Sequence, residues 1–150
     1  MKASEWLEHH PAEALTVVAT DSLADAATRL LSHPESRELY VLDDEGRVCG
    51  HLGFRRLAGI FLAHLRPTHS RRQLVERITP STVRDYMDER VLCMRPDERI
   101  SEGLHQHMER RVEDIPVVDE DDRLLGVIRV ADLLRAAIDE EQAENREDEA

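Results

Sequence analysis

The chain has 150 residues and a net charge of −12; 41% of its residues are apolar but only 3% are aromatic. That length suits one compact domain with a real core, built here of Leu, Val, Ile and Ala. The acidic balance opposes nucleic acid, whose phosphates need a basic footprint. No run is long and apolar enough for membrane insertion, and the opening MKASEWLEHHPAEA lacks the apolar core of a signal peptide, so a cytoplasmic location is expected.

Taken in order, Ser4 can cap a short helix carrying Trp6 and Leu7, which Pro11 ends. Residues 15–18 form an extended arm. Asp21 or Ser22 caps the next helix, whose apolar face holds Leu23, Ala26, Ala27, Leu30 and Leu31. A hairpin follows, with strands over 38–42 and 47–53 around a turn at 43–46. A helix is expected from about residue 55 to 65. The connector over 67–80 contains Arg71, Arg72 and Arg77 and a short helix around Leu74, Val75 and Ile78. A connector this long packs on something, either as a cover or as a partner contact.

Ser81 or Thr82 opens the next helix, with Val83, Tyr86 and Met87 facing inward. Residues 91–94 are a second extended arm. Asp97 or Glu98 precedes a helix bearing Ile100, Leu104 and Met108. Strands over 115–118 and 124–128 flank a charged turn, and Val130, Leu133 and Leu134 then recur at helical spacing. Residues 139–150 hold seven acids and one Arg, a net of −6 and half of the charge imbalance. They are expected to form a disordered acidic tail.

The second half repeats the first. VLDDEGRVCG (41–50) overlays VVDEDDRLLG (117–126), and TDSLADAATRLL (20–31) overlays PDERISEGLHQHM (96–108), at a spacing of 76 to 77 residues. Two copies of one supersecondary unit therefore pack into a single pseudo-symmetric domain. Other chemistry has little support. Cys49 and Cys93 show no metal or redox spacing, and Cys49 reads as a small buried thiol on an apolar strand. His105 and His107 lie about 200° apart on a helix and cannot share a metal from one face. No phosphate loop or nucleophile elbow occurs, and the acidic pairs Asp43-Asp44 and Asp121-Asp122 belong to solvated turns.

The ordered series TVRDYMDERVLCMRPDERISEGLHQHMERRVEDIPVVDEDDRLLGVIRVADLLR (82–135) resembles a CBS domain, the module named after cystathionine beta-synthase. The first half resembles a more divergent copy. Together they are similar to a tandem CBS pair, or Bateman module, with repeats over 4–66 and 81–138. The resemblance implies an α/β (α+β) fold of two β-α-β-β-α repeats related by approximate twofold symmetry. It implies a regulatory sensor and not an enzyme, with no cofactor of its own. The clefts between the copies would bind AMP, ADP, ATP or S-adenosylmethionine. The protein would form a homodimer and signal to a partner such as an enzyme or transporter. The alternative is a ligand-free dimerisation or protein-interaction module.

Carried over residue by residue, the resemblance centres one ligand site on repeat 2. Ile115, Pro116 and Val117 fill the hydrophobic-Pro-Val strand pattern that presents backbone to a base. Gly126, Val127 and Ile128 open the Gly-hydrophobic-hydrophobic-Thr/Ser-x-x-Asp motif, and Asp132 stands at the ribose position, where a carboxylate accepts both hydroxyl hydrogen bonds. Arg129 replaces the motif's Thr or Ser; it either clamps phosphate or fills the cleft. Cys93, beside Met94, replaces the arm Thr. Asp132 has a second reading as a helix cap. A degenerate second site would hold Thr16, Tyr40, Gly53 and Arg56, with Tyr40 in place of Pro and Arg56 in place of the ribose Asp.

Overall fold

A computed structural model describes residues 1–63, 70–78 and 80–150. The elements run α1 (Ala3–His9), β1 (Thr16–Val18), α2 (Leu23–Leu31), β2 (Glu38–Leu42), β3 (Val48–Gly53), α3 (Phe54–Phe61), α4 (Arg71–Ile78), α5 (Val83–Tyr86), α6 (Ile100–Glu109), β4 (Asp114–Val118), β5 (Leu124–Arg129) and α7 (Val130–Glu149). β1 pairs parallel with β2, and β2 pairs antiparallel with β3. β4 and β5 form a second antiparallel pair. The arm before α6 joins it through a single parallel bridge, Met94 to Val117. The class is α+β.

The two hairpins close alike. Asp43 Oδ1 accepts from the backbone N–H groups of Glu45 and Arg47, and Asp119 Oδ1 accepts from those of Asp121 and Arg123. Each turn then needs one left-handed residue. Gly46 supplies it in the first (φ 78°) and Asp122 in the second (φ 60°), Asp being among the few side chains that tolerate that region.

Among the described residues there are two apolar cores. One gathers Leu23, Leu39, Val41 and Leu52, with Val83 from α5. The other gathers Met94, Ile115, Val117 and Ile128, with Ala3 and Trp6 from α1. The helix that precedes each repeat in sequence thus completes the core of the other. Backbone bonds fix the exchange: Ala3 N–H donates to Glu98 O (2.9 Å) and Ile100 N–H to Met1 O (3.0 Å), while Val83 N–H donates to Asp21 O (2.9 Å) and Leu23 N–H to Ser81 O (3.1 Å). Two glycines let the crossing segments approach the return strands. A Cβ on Gly126 would meet Ala12 O at 3.1 Å, and one on Gly50 would meet Met87 Sδ at 2.8 Å and Asp88 O at 3.2 Å.

Several helix ends fall where the sequence does not place them. α1 starts at Ala3, one residue before Ser4, and the Glu5 carboxylate accepts from Lys2 N–H (2.8 Å). Of the two caps expected for α2, Ser22 takes the role, its hydroxyl accepting from Asp25 N–H (3.0 Å). α3 ends at Phe61, short of the expected residue 65; residues 64–69, including the first part of the connector, lie outside the described residues. α4 is the short helix expected around Leu74 and Val75. The expected disordered tail is helical instead, because α7 continues to Glu149. From residue 130 to 149 it meets no Gly or Pro, and nine of its 20 residues are Ala or Glu, which are strong helix formers. Its packed first turns supply the nucleus that an isolated acidic peptide would lack. No helix among the described residues is long and apolar enough to cross a membrane.

Candidate functional site

The repeats meet where β2 approaches β4. Arg37 N–H donates to Asp114 Oδ2 (2.9 Å), and the Tyr40 hydroxyl donates to Asp114 O (3.2 Å). Two confluent cavities open beside this contact, of about 430 and 460 Å³, and share Glu38, His51 and Asp88. The first has an apolar floor of Tyr40, Val91, Leu92, Val112 and Pro116, with Arg90, Arg110 and Asp114 around it. The second is strongly charged: Arg37, Arg55, Arg56 and Arg111 line it with Glu38, Asp88 and Glu113. An apolar pocket with a few convergent polar groups is the ordinary form of a small-molecule site.

Local sequence sets these side chains. Gly53 ends β3 and is the N-cap of α3, so Phe54, Arg55 and Arg56 occupy the first helical turn. Arg37 lies 5.1 Å over the Phe54 ring and 3.6 Å from the Glu113 carboxylate. Arg56 Nε donates to Tyr86 O (2.6 Å), tying α3 to α5. Arg111 follows α6 with a left-handed backbone (φ 57°).

His51 stands where the two cavities join. Its Nδ1 is 3.4 Å from Glu38 Oε2 and its Nε2 is 3.7 Å from Asp88 Oδ2. Its backbone pairs in both directions with Asp88 (2.9 Å each). The hydrogen bond to Glu38 raises its pKa; burial opposes this, and the Glu38 and Asp88 charges add to the rise. Asp88 in turn is held below the ordinary carboxylate value, chiefly by the backbone N–H of Arg90. A raised His pKa stabilises the fold fully below its unfolded value, about 6.5, and that contribution is lost as pH rises through the folded value. The urea midpoint is therefore expected to fall between about pH 6 and 8, with a flatter profile in His51→Gln. Superimposable profiles would remove His51 from the linkage.

Asp114 is 3% exposed. Burial raises its carboxyl pKa, and Arg37 N–H and the Arg129 guanidinium draw it back. Cys93 touches Val91 O at 3.8 Å, and burial pushes its thiol up to about 11, which keeps it a thiol at neutral pH.

The residues read from the sequence separate into two groups. Tyr40, Gly53, Arg56 and Pro116 line the two cavities. Ile115, Val117, Ile128 and Met94 are fully buried in or beside the second core, and Val127 is 2% exposed. The backbone of this strand is also engaged, since Pro116 O accepts from Met94 N–H (2.8 Å). Asp132 lies in the first turn of α7, accepts from Arg135 (2.9 Å) and lines neither cavity. Arg129 is the N-cap residue of α7, and its Nε is buried with no hydrogen-bond partner. Thr16 lies on β1 opposite Tyr40, its carbonyl taken by Arg29 Nε (2.9 Å).

Sequence reasoning missed Glu38, His51, Asp88, Arg55, Arg110 and Arg111 as cavity-lining residues. One signal was available. Arg55-Arg56 is a basic pair at a helix start, where the helix dipole favours acids. Asp88 reaches the cavity through the crossing of segment 86–92 over repeat 1, where its backbone pairs with that of His51.

Comparison with known proteins fits this architecture. The family model of the CBS domain matches residues 10–62 and 83–139. Inosine-5'-monophosphate dehydrogenase of Methanocaldococcus jannaschii is 28% identical over 123 residues, which are 82% of this chain and 21% of that protein. The chain thus spans about a fifth of the length of that curated relative. Among solved structures, the CBS domain pair of protein MJ0100, in complex with 5'-methylthioadenosine and S-adenosylmethionine, superposes with a TM-score of 0.71 at 18% identity, over 93% of this chain and 98% of that one. CBSX2 in complex with AMP superposes with a TM-score of 0.69 at 20% identity, over 93% and 98% of the two chains. With both matched segments falling on the two structural repeats, the chain belongs to the CBS domain family, as a tandem pair.

Proposed function

We propose that this CBS pair is a regulatory module that binds an adenosine-containing ligand in the cleft between its repeats and passes the bound state to a partner protein. The carrying observation is the pair of confluent cavities. The apolar floor of Tyr40, Val91, Leu92, Val112 and Pro116 suits a base, and the adjoining charged chamber suits a polar tail. The adenosine compounds bound by MJ0100 and CBSX2 support the same class of ligand here. The exchanged helices α1 and α5 give a route outward, because a shift between repeats must move elements seated in both cores. A ligand drives such a shift only if it binds the two arrangements with different affinity. We place the module in the cytoplasm, as a homodimer.

Calorimetric titration with AMP, ATP, S-adenosylmethionine and GMP tests the proposal. Saturable binding of an adenine compound, at one molecule or more per chain, is the expected result. Asp132→Ala in the same titration tests the ribose role assigned to Asp132, which predicts weaker binding; unchanged affinity would place the ligand in the cavities on the Arg56 side alone. A folded protein that binds none of the four would favour the second reading, a ligand-free interaction module. Leu134 and Ile138, one turn apart on α7 and 61% and 45% exposed, are the observation behind that reading. Sedimentation of the same sample reports whether the chain self-associates.

A further inference from the structure

The charged cavity sets four Arg against three carboxylates, and one of the four, Arg111, stands on a left-handed backbone. Arg111 occupies the position after the end of α6 with φ 57°. Its N–H donates to Met108 O (3.1 Å), and Val112 N–H donates to His107 O (3.0 Å). A helix end closed in this way ordinarily places Gly at the left-handed residue, because a Cβ is strained there. Strain of this kind persists where the side chain has a use, and this side chain lines the 460 Å³ cavity.

Arg55 and Arg56 repeat the pattern by other means. They sit in the first turn of α3, which contains no acidic residue, although the positive end of the helix dipole disfavours cations there. The carboxylates of the same cavity are already engaged. Glu113 faces Arg37, while Glu38 and Asp88 flank His51. Among the described residues, the side chains of Arg55 and Arg111 make no hydrogen bond or ion pair. Arg56 takes the place that Asp132 holds in the other repeat, so no carboxylate stands at the position that would read a ribose diol on this side.

We infer that Arg55, Arg56 and Arg111 form a phosphate-binding cluster, and that the cleft selects phosphorylated ligands over neutral nucleosides and over the sulfonium cation of S-adenosylmethionine. Guanidinium groups pair with phosphate oxygens through charge-assisted hydrogen bonds, and those of Arg55 and Arg111 are uncommitted among the described residues. A sulfonium brought to the same place meets three positive charges. This inference rests on the reading that the ligand occupies the cleft, and it names the group that would decide which ligand stays.

Calorimetry with ATP, adenosine, S-adenosylmethionine and inorganic tripolyphosphate tests it, on the wild type, Arg111→Gly and Arg55→Gln. ATP is expected to bind at least about tenfold more tightly than adenosine or S-adenosylmethionine, the value of one charge-assisted hydrogen bond, with the gap narrowing as salt rises. Each variant should weaken ATP by about tenfold and change adenosine by less than about twofold. Arg111→Gly relieves the left-handed strain, so a melting temperature at or above that of the wild type shows that the fold is intact. Equal affinity for ATP and adenosine, or wild-type ATP affinity in both variants, would overturn the phosphate cluster and leave the cleft reading standing. Tripolyphosphate binding that is lost in the variants, without binding of any adenine compound, would keep the cluster and overturn the adenosine reading. A protein that binds none of the four probes would overturn both.

Discussion

Replacing Tyr40 with Ala is expected to lower the free energy of unfolding by about 3–5 kcal/mol, the usual cost of removing a buried aromatic ring. Tyr40 is 2% exposed. It sits in the middle of β2, paired with Thr16 on one side and His51 on the other. Its hydroxyl reaches Asp114 O on the other repeat (3.2 Å), and its ring walls the apolar cavity. Burial first, and then the Asp114 charge, raise the phenol pKa well above its ordinary value, so the group remains a neutral donor. Tyr40→Phe keeps the ring and loses only the bond, at about 1 kcal/mol. Urea unfolding of both variants separates the two contributions. Equal losses would assign the whole effect to the hydroxyl; a loss under about 1 kcal/mol in Tyr40→Ala would show that the ring carries no structural weight.

The second large effect is expected at His107. This imidazole is 2% exposed, with Nδ1 2.9 Å from Gly103 O and Nε2 3.2 Å from Leu92 O. The first contact lies within α6, and the second fastens the arm that lines the apolar cavity. A neutral ring donates to one of these carbonyls and an imidazolium to both. His107→Ala should cost about 2–4 kcal/mol, combining a cavity with the loss of hydrogen bonds to buried carbonyls. It should also speed hydrogen exchange over residues 91–94. His107→Leu fills the volume without the polar tie and should fall between the two. If exchange in the arm stays at the wild-type rate in both variants, Leu92 is held by its other contacts and not by the ring.

Both residues show how far side-chain type and spacing reach. His107 was visible only as half of a pair with His105 that could not share a metal. Its spacing carried no sign that it would face a carbonyl 15 residues earlier in the chain. Tyr40 was legible as a departure from the Pro at the equivalent position of repeat 2, Pro116. The departure matters because the larger ring spans to β4 and becomes a strut between the repeats. Arg129 and Asp132 lie in the best-preserved motif, yet neither lines the described cavities, which open between the copies. Motif preservation follows individual side chains, whereas cavity position follows the crossing of segments that a motif does not include.

The sequence by itself determined the two repeats, their hairpins and the family. Those rest on local causes: apolar runs at strand length, an Asp that folds its own turn at Asp43 and Asp119, and a recurrence of the whole series after 76 to 77 residues. The tertiary structure alone decided which core each leading helix enters, where the cleft lies and which charges share it. Ala3, Trp6 and Val83 are apolar in either arrangement, and nothing in their pattern selects one sheet over the other. The choice is made by backbone bonds between residues 58 to 99 apart in the chain, from Leu23–Ser81 to Met1–Ile100. That exchange carries Asp88 and Arg90 across to repeat 1. Together with the left-handed turn at Arg111, it brings into one chamber charges that lie far apart in the chain.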